Sequence, residues 1–467
     1  MKEIIYAIFL SFFLCGLCGN AEAKKKKEVK KAIKREVQTP YDKLFKGKKA
    51  FTVNGLMKMH LMAGKVYAEF PIELLNRDLA LTSSIEDISD NGEGVVGQFA
   101  GRVNQFRFTL QDSMLQARLV RRYGVKNTGM GKNADQIIER SNTPGIFQSY
   151  KILAYTPDKK AVVVDMTELF LESSRLTNPF PSYAGNSLYG FVQRIHKFQS
   201  QRSELLGICG NDNSMSVRCN LGFNVDRLVL GSFMQAKDVP VSVTVNKILM
   251  LLPEDPMRPR LADSRIGVNA IIQTELPDVC QGIKTYYITK RWRIEPVDEI
   301  RYKQGEMVDV KKPIVFYIDT LMPDSWIKYV KAGAEAWNAA FEKIGLRNVV
   351  RTELFPKDSS FDAGDIHNSV IRYAPSWMYY PQYSMHTDPR TGEILNASVY
   401  LPANVASYFY TSRTEETMAV DPSVRKARLS EEQFGEMFKA KMMQAIGRCL
   451  GLTDNYAASS VYPVDSL

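Results

Sequence analysis

The sequence predicts an α+β protein in which a β-rich N-terminal region precedes an α/β region. From Phe51 to about Pro296, apolar residues alternate with polar ones or form short runs, which is typical of strands. From Pro313 onward, strand-like runs are separated by segments with helical periodicity. The chain has 467 residues, a length that suggests about three domains at ~150 residues each.

In the N-terminal region, the clearest strand contains Phe106, Phe108 and Leu110, which alternate with polar residues as on a half-buried strand. The turn-forming segment Thr156–Lys159 separates two apolar runs and predicts a hairpin. The other apolar runs that predict strands are Ile152–Tyr155, Ala161–Met166, Val239–Leu252 and Tyr286–Ile288.

The α/β region begins with a buried strand at Ile314–Ile318. Asp324 is expected to cap a helix with an apolar stripe, and Gly345 fits its C-terminal cap. Further strands are predicted at Val349–Val350, Ser369–Ile371 and Ile394–Tyr400, the last one after a turn at Asp388–Gly392.

The last helix has the clearest boundaries. Residues Ala403–Ala427 before it are expected to form a surface loop. Ser430 and Gln433 have the spacing of a capping box, and the helix is expected to end at Gly451.

The first 23 residues predict a secretory signal peptide. Lys2 precedes the apolar run Ile4–Leu17, and Ala21–Ala23 has the small-residue pattern of a cleavage site. The apolar run is too short to span a bilayer. A lipoprotein anchor at Cys15 or Cys18 has little support, because a leucine precedes each cysteine where a small residue is expected. We therefore expect an exported protein that is periplasmic, cell-surface or secreted.

The chain is basic, with a formal net charge of +10. The one dense cluster is the Lys24–Arg35 segment, and residues 24–44 are expected to form a disordered leader. The alternative is electrostatic contact of this segment with an anionic membrane or envelope polymer. We expect no nucleic-acid partner, because the other basic residues are dispersed and the chain is exported.

Four cysteines follow the signal peptide, and export permits disulfides. Cys209 and Cys219 close a short loop and are the best candidate pair, although four cysteines allow three full pairings. The remaining two are Cys280 and Cys449. Because Cys449 is on the apolar side of the last helix, it is expected to be a buried thiol.

The end of that helix has the spacing of a zinc-protease motif without its zinc chemistry. In the pattern H-E-x-x-H-x-x-G-x-x-H, three histidines bind the metal and the glutamate activates the bound water. Gly451 is at the glycine position, whereas Gln444 and Arg448 are at the two helical ligand positions. Ala445 replaces the base and Asp454 the third ligand. Asp454 beside Arg448 is expected to form a salt bridge rather than to bind a cation.

These features together resemble the large secreted bacterial zinc-dependent metalloproteases, in which uncharacterised β-rich domains precede a metzincin catalytic domain. The order strand, helix, strand, strand, edge strand, helix and glycine turn is that of the metzincin upper subdomain. The matching segments, which extend over nearly the whole chain, are Asn76–Asp78, Pro259–Gly267, Arg291–Arg293, Trp337–Glu342, Asp388–Ile394 and Leu450–Leu452 with Asn455.

The resemblance implies one or more β-rich N-terminal domains at residues 45–300 and a truncated metzincin-like catalytic domain at 310–467. Members of this family continue further, so the lower wall of the cleft and the methionine turn are expected to be missing. The family would imply zinc, but we expect no metal here. The four histidines, His60, His196, His367 and His386, do not have the spacing of a ligand set.

Three functions remain open at this stage. The first is a catalytically inactive homologue, or pseudoenzyme, that binds a peptide or protein ligand. Its edge strand would be Ile394–Tyr400, with Asn396, Ser398 and Tyr400 facing the ligand by β-augmentation. The second is an active zinc metalloendopeptidase with atypical ligands, and the third is a structural protein of the envelope.

Overall fold

The computed structural model describes residues 38–120, 125–127, 140–173, 176, 178–180, 192–230, 233–276, 284–358, 361–376, 380–426, 428–455 and 461. The predicted signal peptide and the Lys24–Arg35 segment lie outside these residues. The chain from Pro40 to Leu467 forms one compact unit. Its division into domains at residues 45–300 and 310–467 stays a prediction. None of the described helices is long and apolar enough to cross a membrane.

Strands account for most of the regular structure. In chain order they are β1 (Phe51–Val53), β2 (Lys58–Met62), β3 (Lys65–Pro71), β4 (Leu79–Ile88), β5 (Phe99–Gln111), β6 (Met114–Leu119), β7 (Val125–Asn127), β8 (Gly145–Tyr155), β9 (Ala161–Asp165), β10 (Val192–Asn211), β11 (Ser214–Val229), β12 (Phe233–Leu251), β13 (Ala270–Leu276), β14 (Lys284–Thr289), β15 (Val308–Asp309), β16 (Ile314–Ile318), β17 (Leu346–Arg347), β18 (Val350–Leu354), β19 (Ser369–Tyr373), β20 (Gln382–Thr387) and β21 (Ile394–Leu401).

Helices lie mainly in the C-terminal region. They are α1 (Pro40–Phe45), α2 (Thr167–Leu171), α3 (Glu299–Lys303), α4 (Asp324–Glu335), α5 (Asn338–Glu342), α6 (Val405–Thr417) and α7 (Glu431–Cys449). The predicted α+β class with a β-rich N-terminal region is therefore confirmed. The last residues of the predicted disordered leader, 40–44, belong to helix α1. This helix is held against the large sheet by Phe45, whose ring lies 4.4 Å from the ring of His60.

An eleven-stranded antiparallel sheet forms the N-terminal region, in the order β1-β2-β3-β9-β8-β6-β5-β4-β12-β11-β10. The predicted alternation holds, since Phe106 and Phe108 of β5 are buried in its core. The predicted hairpin is the β8–β9 pair, and the Asp158 carboxylate accepts from the Thr156 hydroxyl in its turn. Strand β13 pairs with β14 on one side and with β7 on the other in a small separate sheet.

The C-terminal region is built on a five-stranded sheet in the order β18-β16-β19-β21-β20. Its strands are parallel except for β20, which runs antiparallel to β21 at the edge. Helices α4 and α7 cover one face of the sheet and share its apolar core. The other face meets the N-terminal region, where the Tyr400 hydroxyl donates to the Gly97 carbonyl at 3.0 Å.

Two predictions for this region need correction. The expected surface loop at Ala403–Ala427 contains helix α6, because Phe409 packs its ring 5.0 Å from that of Phe438 on α7. Tertiary burial thus stabilises a segment whose own sequence is mostly polar. Asp324 is the first residue of α4 and makes no capping hydrogen bond.

The cysteines do not follow the expected pairing. Cys209 lies opposite Ser216 in the β10–β11 ladder, whereas Cys219 lies opposite Leu205, and both thiols are free. The predicted Cys209–Cys219 disulfide is therefore wrong, because the register sets the two residues apart. Cys449 is buried as predicted, and this burial raises the pKa of its thiol to about 12. Cys280 lies outside the described residues.

The turn at residues 388–393 joins the two regions through buried charges. Arg390 donates to both carboxylate oxygens of Asp388, from Nε at 3.0 Å and from Nη2 at 2.7 Å. Its Nη1 also reaches Asp78, which precedes β4, at 3.3 Å. In the same turn, Glu393 accepts two hydrogen bonds of 2.9 Å from Arg293. The turn is thereby fixed both to the large sheet and to the segment around Arg293, which connects β14 with α3.

Replacing Arg390 with methionine tests this junction. The side chain of Asp388 is 0% exposed and that of Arg390 20% exposed, so Arg390→Met would leave a buried carboxylate without its cation. We expect a loss of about 3 kcal/mol in the free energy of unfolding, measured by urea titration. The control is Arg265→Met, which removes a well-exposed ion pair with Asp263 and should cost less than about 1 kcal/mol. Equal urea midpoints for the two variants would contradict the conclusion that Arg390 stabilises this junction.

Candidate functional site

Helix α7 carries three of the four motif positions, Gln444, Ala445 and Arg448, and Asp454 follows its C-terminal end. Its first turn has the predicted capping box, in which the Ser430 hydroxyl accepts from the Gln433 N–H and the Gln433 side chain from the Ser430 N–H. Farther along, the Trp337 indole donates to the Met443 carbonyl at 2.9 Å. Gly447 faces the same ring, and a Cβ there would lie 2.6 Å from it. The helix is therefore fixed tightly just beside the site.

The end of α7 is set by a glycine turn. Gly451 has φ +98°, and a Cβ at this position would lie 2.4 Å from the Lys290 carbonyl, so no other residue fits without movement. The Trp292 indole donates to the Cys449 carbonyl at 2.9 Å and satisfies one of the free helix-end acceptors. The Asn269 N–H donates to the Gly451 carbonyl at 2.7 Å. The turn thus has the shape that the motif requires.

Arg448 occupies the place of a helical metal ligand. Its Nη2 donates to the Asp454 carboxylate at 2.8 Å, which confirms the predicted salt bridge. Its guanidinium lies 5.7 Å from the ring centroid of Tyr383 on β20. Burial alone would lower the pKa of Arg448, but hydrogen bonds to Tyr383 and Asp454 outweigh it and raise the pKa above its usual value. A permanent positive charge therefore lies where the second ligand would be.

The other two motif positions lie beside a cavity of about 560 Å³. Gln444 and Ala445 line it together with Arg448, since residues three and four apart share one face of a helix. Among the described residues, the lining is Tyr380, Pro381, Gln382, Tyr383, Tyr408, Phe409, Lys441, Gln444, Ala445 and Arg448. The cavity is thus bordered by the beginning of β20, by α6 and by α7.

The predicted peptide-binding strand is not at the edge of the sheet. Strand β21 lies between β19 and β20, and Asn396, Ser398 and Tyr400 are all buried. The Asn396 amide donates to the carbonyls of Ile366 at 2.9 Å and Asn368 at 2.8 Å. The Ser398 hydroxyl donates to Asn396, and Tyr400 donates to the Gly97 carbonyl of the N-terminal region. The prediction that these side chains face a ligand is therefore wrong.

The edge strand is β20, which sequence reasoning missed. Its residues Gln382–Thr387 are mostly polar and show no alternation of apolar and polar residues, so the usual strand signal is absent. Tyr383 is largely exposed and contacts Arg448. His386, at the other end of the strand, is buried with its ring 4.8 Å from that of Phe99. The accessible part of the edge is therefore the part next to the cavity.

The histidines lie at separate places. His60 contacts Glu69 at 3.0 Å, His196 contacts Glu93 at 2.8 Å and His367 contacts Asp365 at 2.8 Å. Within the described ranges, no group of three or more histidine, cysteine, aspartate or glutamate side chains is arranged to hold a metal ion.

The residues at the motif positions do not fit zinc. Gln444, Arg448 and Asp454 provide one carboxylate, which is already bound to a cation. Zinc sites in proteins use nitrogen, sulfur or carboxylate ligands, normally three or four of them.

Two family models match parts of the chain. Residues 97–297, which contain most of the large sheet, match a model described as a domain of unknown function (DUF5117). Residues 426–467, which contain α7 and the glycine turn, match a model described as Met-zincin. No curated protein and no solved structure matches the chain. The end of the chain is thus similar to a metalloprotease-related domain, in agreement with the resemblance drawn from the motif.

Rebuilding the metal ligands would test the geometry of the site. In the triple variant Gln444→His, Arg448→His and Asp454→His, two imidazoles one helical turn apart and a third after Gly451 should converge on one ion. We expect stoichiometric zinc after equilibration and buffer exchange, measured by elemental analysis, and far less in the parent protein. The single variant Arg448→His is the control and should bind little zinc. A triple variant that folds but retains no zinc would show that α7 and the turn do not place these residues together.

Proposed function

We propose that this protein is an exported metalloprotease homologue that binds an extended peptide and does not cleave it. The observation that carries the proposal is the ion pair between Arg448 and Asp454 at the place of the metal, beside an open cavity. The helix, its caps and the turn at Gly451 are retained around that pair.

Hydrolysis by the metalloprotease mechanism requires a Lewis acid and a base at this place. Ala445 has no group that accepts a proton. Arg448 has a positive charge that repels Zn²⁺ and already binds the carboxylate of Asp454. Both requirements of the mechanism are therefore unmet at these positions.

Peptide binding needs neither requirement. An exposed edge strand offers unpaired N–H and C=O groups that an extended peptide can pair with. Among the described residues, no strand pairs with the outer side of β20. The adjacent cavity has the aromatic rings of Tyr380, Tyr383 and Tyr408, which can contact a peptide side chain. We therefore place the ligand along Gln382–Met385.

Two neighbouring prolines would test this placement. N–H groups of successive residues on an edge strand point alternately toward the neighbouring strand and away from it. Of Ser384→Pro and Met385→Pro, one should therefore break a hydrogen bond to β21 and lower the melting temperature. The other should keep the ladder with β21 and remove an outward donor, so it should melt closer to the parent protein and bind peptide at least tenfold more weakly. Each change also removes a side-chain contact, the hydroxyl of Ser384 with Tyr400 or the packing of Met385 on the core.

The binding assay uses fluorescein-labelled hexapeptide pools built from Val, Thr, Leu and Ser, with anisotropy as the readout. EDTA should not change the affinity, because no metal takes part. Cleavage of the pools that EDTA abolishes would contradict the proposal and favour an active enzyme. Unchanged binding by the better-tolerated proline variant would contradict the edge-strand placement.

Export has its own test. If residues 1–23 are a signal peptide, the protein expressed with its own N-terminus in a bacterial host should leave the cytoplasm and begin at Lys24. Mass spectrometry of the N-terminal peptide measures this directly. A cytoplasmic protein with an intact N-terminus would contradict the proposal of export.

A further inference from the structure

Among the described residues that line the cavity beside β20, the charged ones are of one sign. They are the cations Lys441 and Arg448, and this part of the lining contains no aspartate or glutamate. The remaining polar groups are neutral amides and hydroxyls, including those of Gln382 and Gln444. Such a lining favours an anionic group in the ligand and disfavours a cationic one.

The two cations lie at different points along the cavity. Lys441 and Arg448 are seven residues apart on α7 and therefore lie on the same face, about 10 Å apart along the helix axis. Gln444 and Ala445 lie between them on that face. Ala445 provides room at the centre, because its side chain is a single methyl group. A peptide on β20 would thus pass Arg448 at one end and Lys441 at the other.

Arg448 is held in position, but not all of its N–H donors have a partner among the described residues. Asp454 and Tyr383 orient its guanidinium from two sides. A guanidinium has five N–H donors, and the side chain remains 29% exposed, so donors are available toward the cavity. The side chain of Asp454 is 41% exposed, which makes this ion pair weak enough to share its cation with a second carboxylate.

Lys441 also forms an ion pair. Its ammonium donates to Glu416 at 2.9 Å, and the same carboxylate also accepts from the Ser412 hydroxyl. The hydrogen bonds from Ser412 and Lys441 hold the pKa of Glu416 below its usual value, so Glu416 is a charged partner at neutral pH. Arg448, with its planar fork of donors, is therefore the better receptor for a carboxylate.

We propose that Arg448 binds a carboxylate of the peptide that pairs with β20, and that this contact fixes the position of the peptide along the strand. The inference rests on the proposed peptide binding and adds the class of ligand. The carboxylate belongs either to the C-terminus of the peptide or to an acidic side chain. An arginine at the position of a metal-binding histidine thus becomes the group that recognises the peptide.

Three hexapeptide pools separate these sources. The first contains Val, Thr, Leu and Ser and ends in a free carboxylate, and the second has the same composition with a C-terminal amide. The third is amidated and contains one glutamate. Each is titrated by anisotropy against the full-length protein, against Arg448→Gln and against Arg301→Gln. Arg301 is the matched control, because it is an arginine in an exposed ion pair, with Glu306, away from the cavity.

We expect the free-acid pool or the glutamate pool to bind the parent protein roughly tenfold more tightly than the neutral amide pool, the effect of one charge-assisted hydrogen bond. The difference should disappear in Arg448→Gln and persist in Arg301→Gln. The pool that gains affinity identifies the source of the carboxylate. The comparison of pools on the parent protein holds even if Arg448→Gln folds poorly.

Other outcomes overturn the inference. Equal affinity of all three pools would exclude a carboxylate receptor and leave the proposed peptide binding standing. A gain for the free-acid or glutamate pool that persists in Arg448→Gln would place the receptor elsewhere. Absence of binding by every pool would overturn the proposed function and this inference with it.

Discussion

The turn at residues 388–393 is the constraint on which the arrangement of the two regions depends. Its Arg390 binds Asp388 and reaches Asp78, which directly precedes strand β4 of the large sheet. Its Glu393 binds Arg293, and the Arg291 N–H donates to the carbonyl of Gly392. Strand β21 leaves directly from this turn, and β21 positions the edge strand that borders the site. Three of the segments on which the family resemblance was drawn, Asn76–Asp78, Arg291–Arg293 and Asp388–Ile394, therefore meet at one structural junction.

The same geometry explains how the site keeps its shape without metal ligands. A structural zinc site can contribute about 10 to 16 kcal/mol to folding, whereas an exposed ion pair contributes at most about 1 kcal/mol. The pair of Arg448 and Asp454 cannot replace a metal in that respect. The helix is instead held by the indoles of Trp337 and Trp292, which donate to its carbonyls at 2.9 Å, and by its buried apolar face.

The sequence predicted the parts of the fold that have strong local signals. The strand at Ile314–Ile318 and the capping box at Ser430 are present as predicted, because burial and capping are visible in single segments. The salt bridge of Arg448 was also predictable, because the motif returns the chain after Gly451 and so brings Asp454 beside the helical ligand position. The edge strand β20 was not, since its polar residues become a strand only by pairing with β21. The predicted pairing of Cys209 with Cys219 was wrong because it depends on the register of the β10–β11 hairpin, which cannot be read from the composition.

The inferred ligand contact follows from what a binder requires and an enzyme does not. A protease gains rate only from interactions that strengthen in the transition state, so tight binding of the unreacted peptide brings it no catalytic benefit. A protein that does not cleave has no such restriction and can use a permanent cation beside the edge strand. Backbone pairing with β20 is nearly independent of sequence, and it allows a peptide to slip by two residues. A carboxylate at Arg448 removes that freedom, so one charged contact provides both selectivity and register.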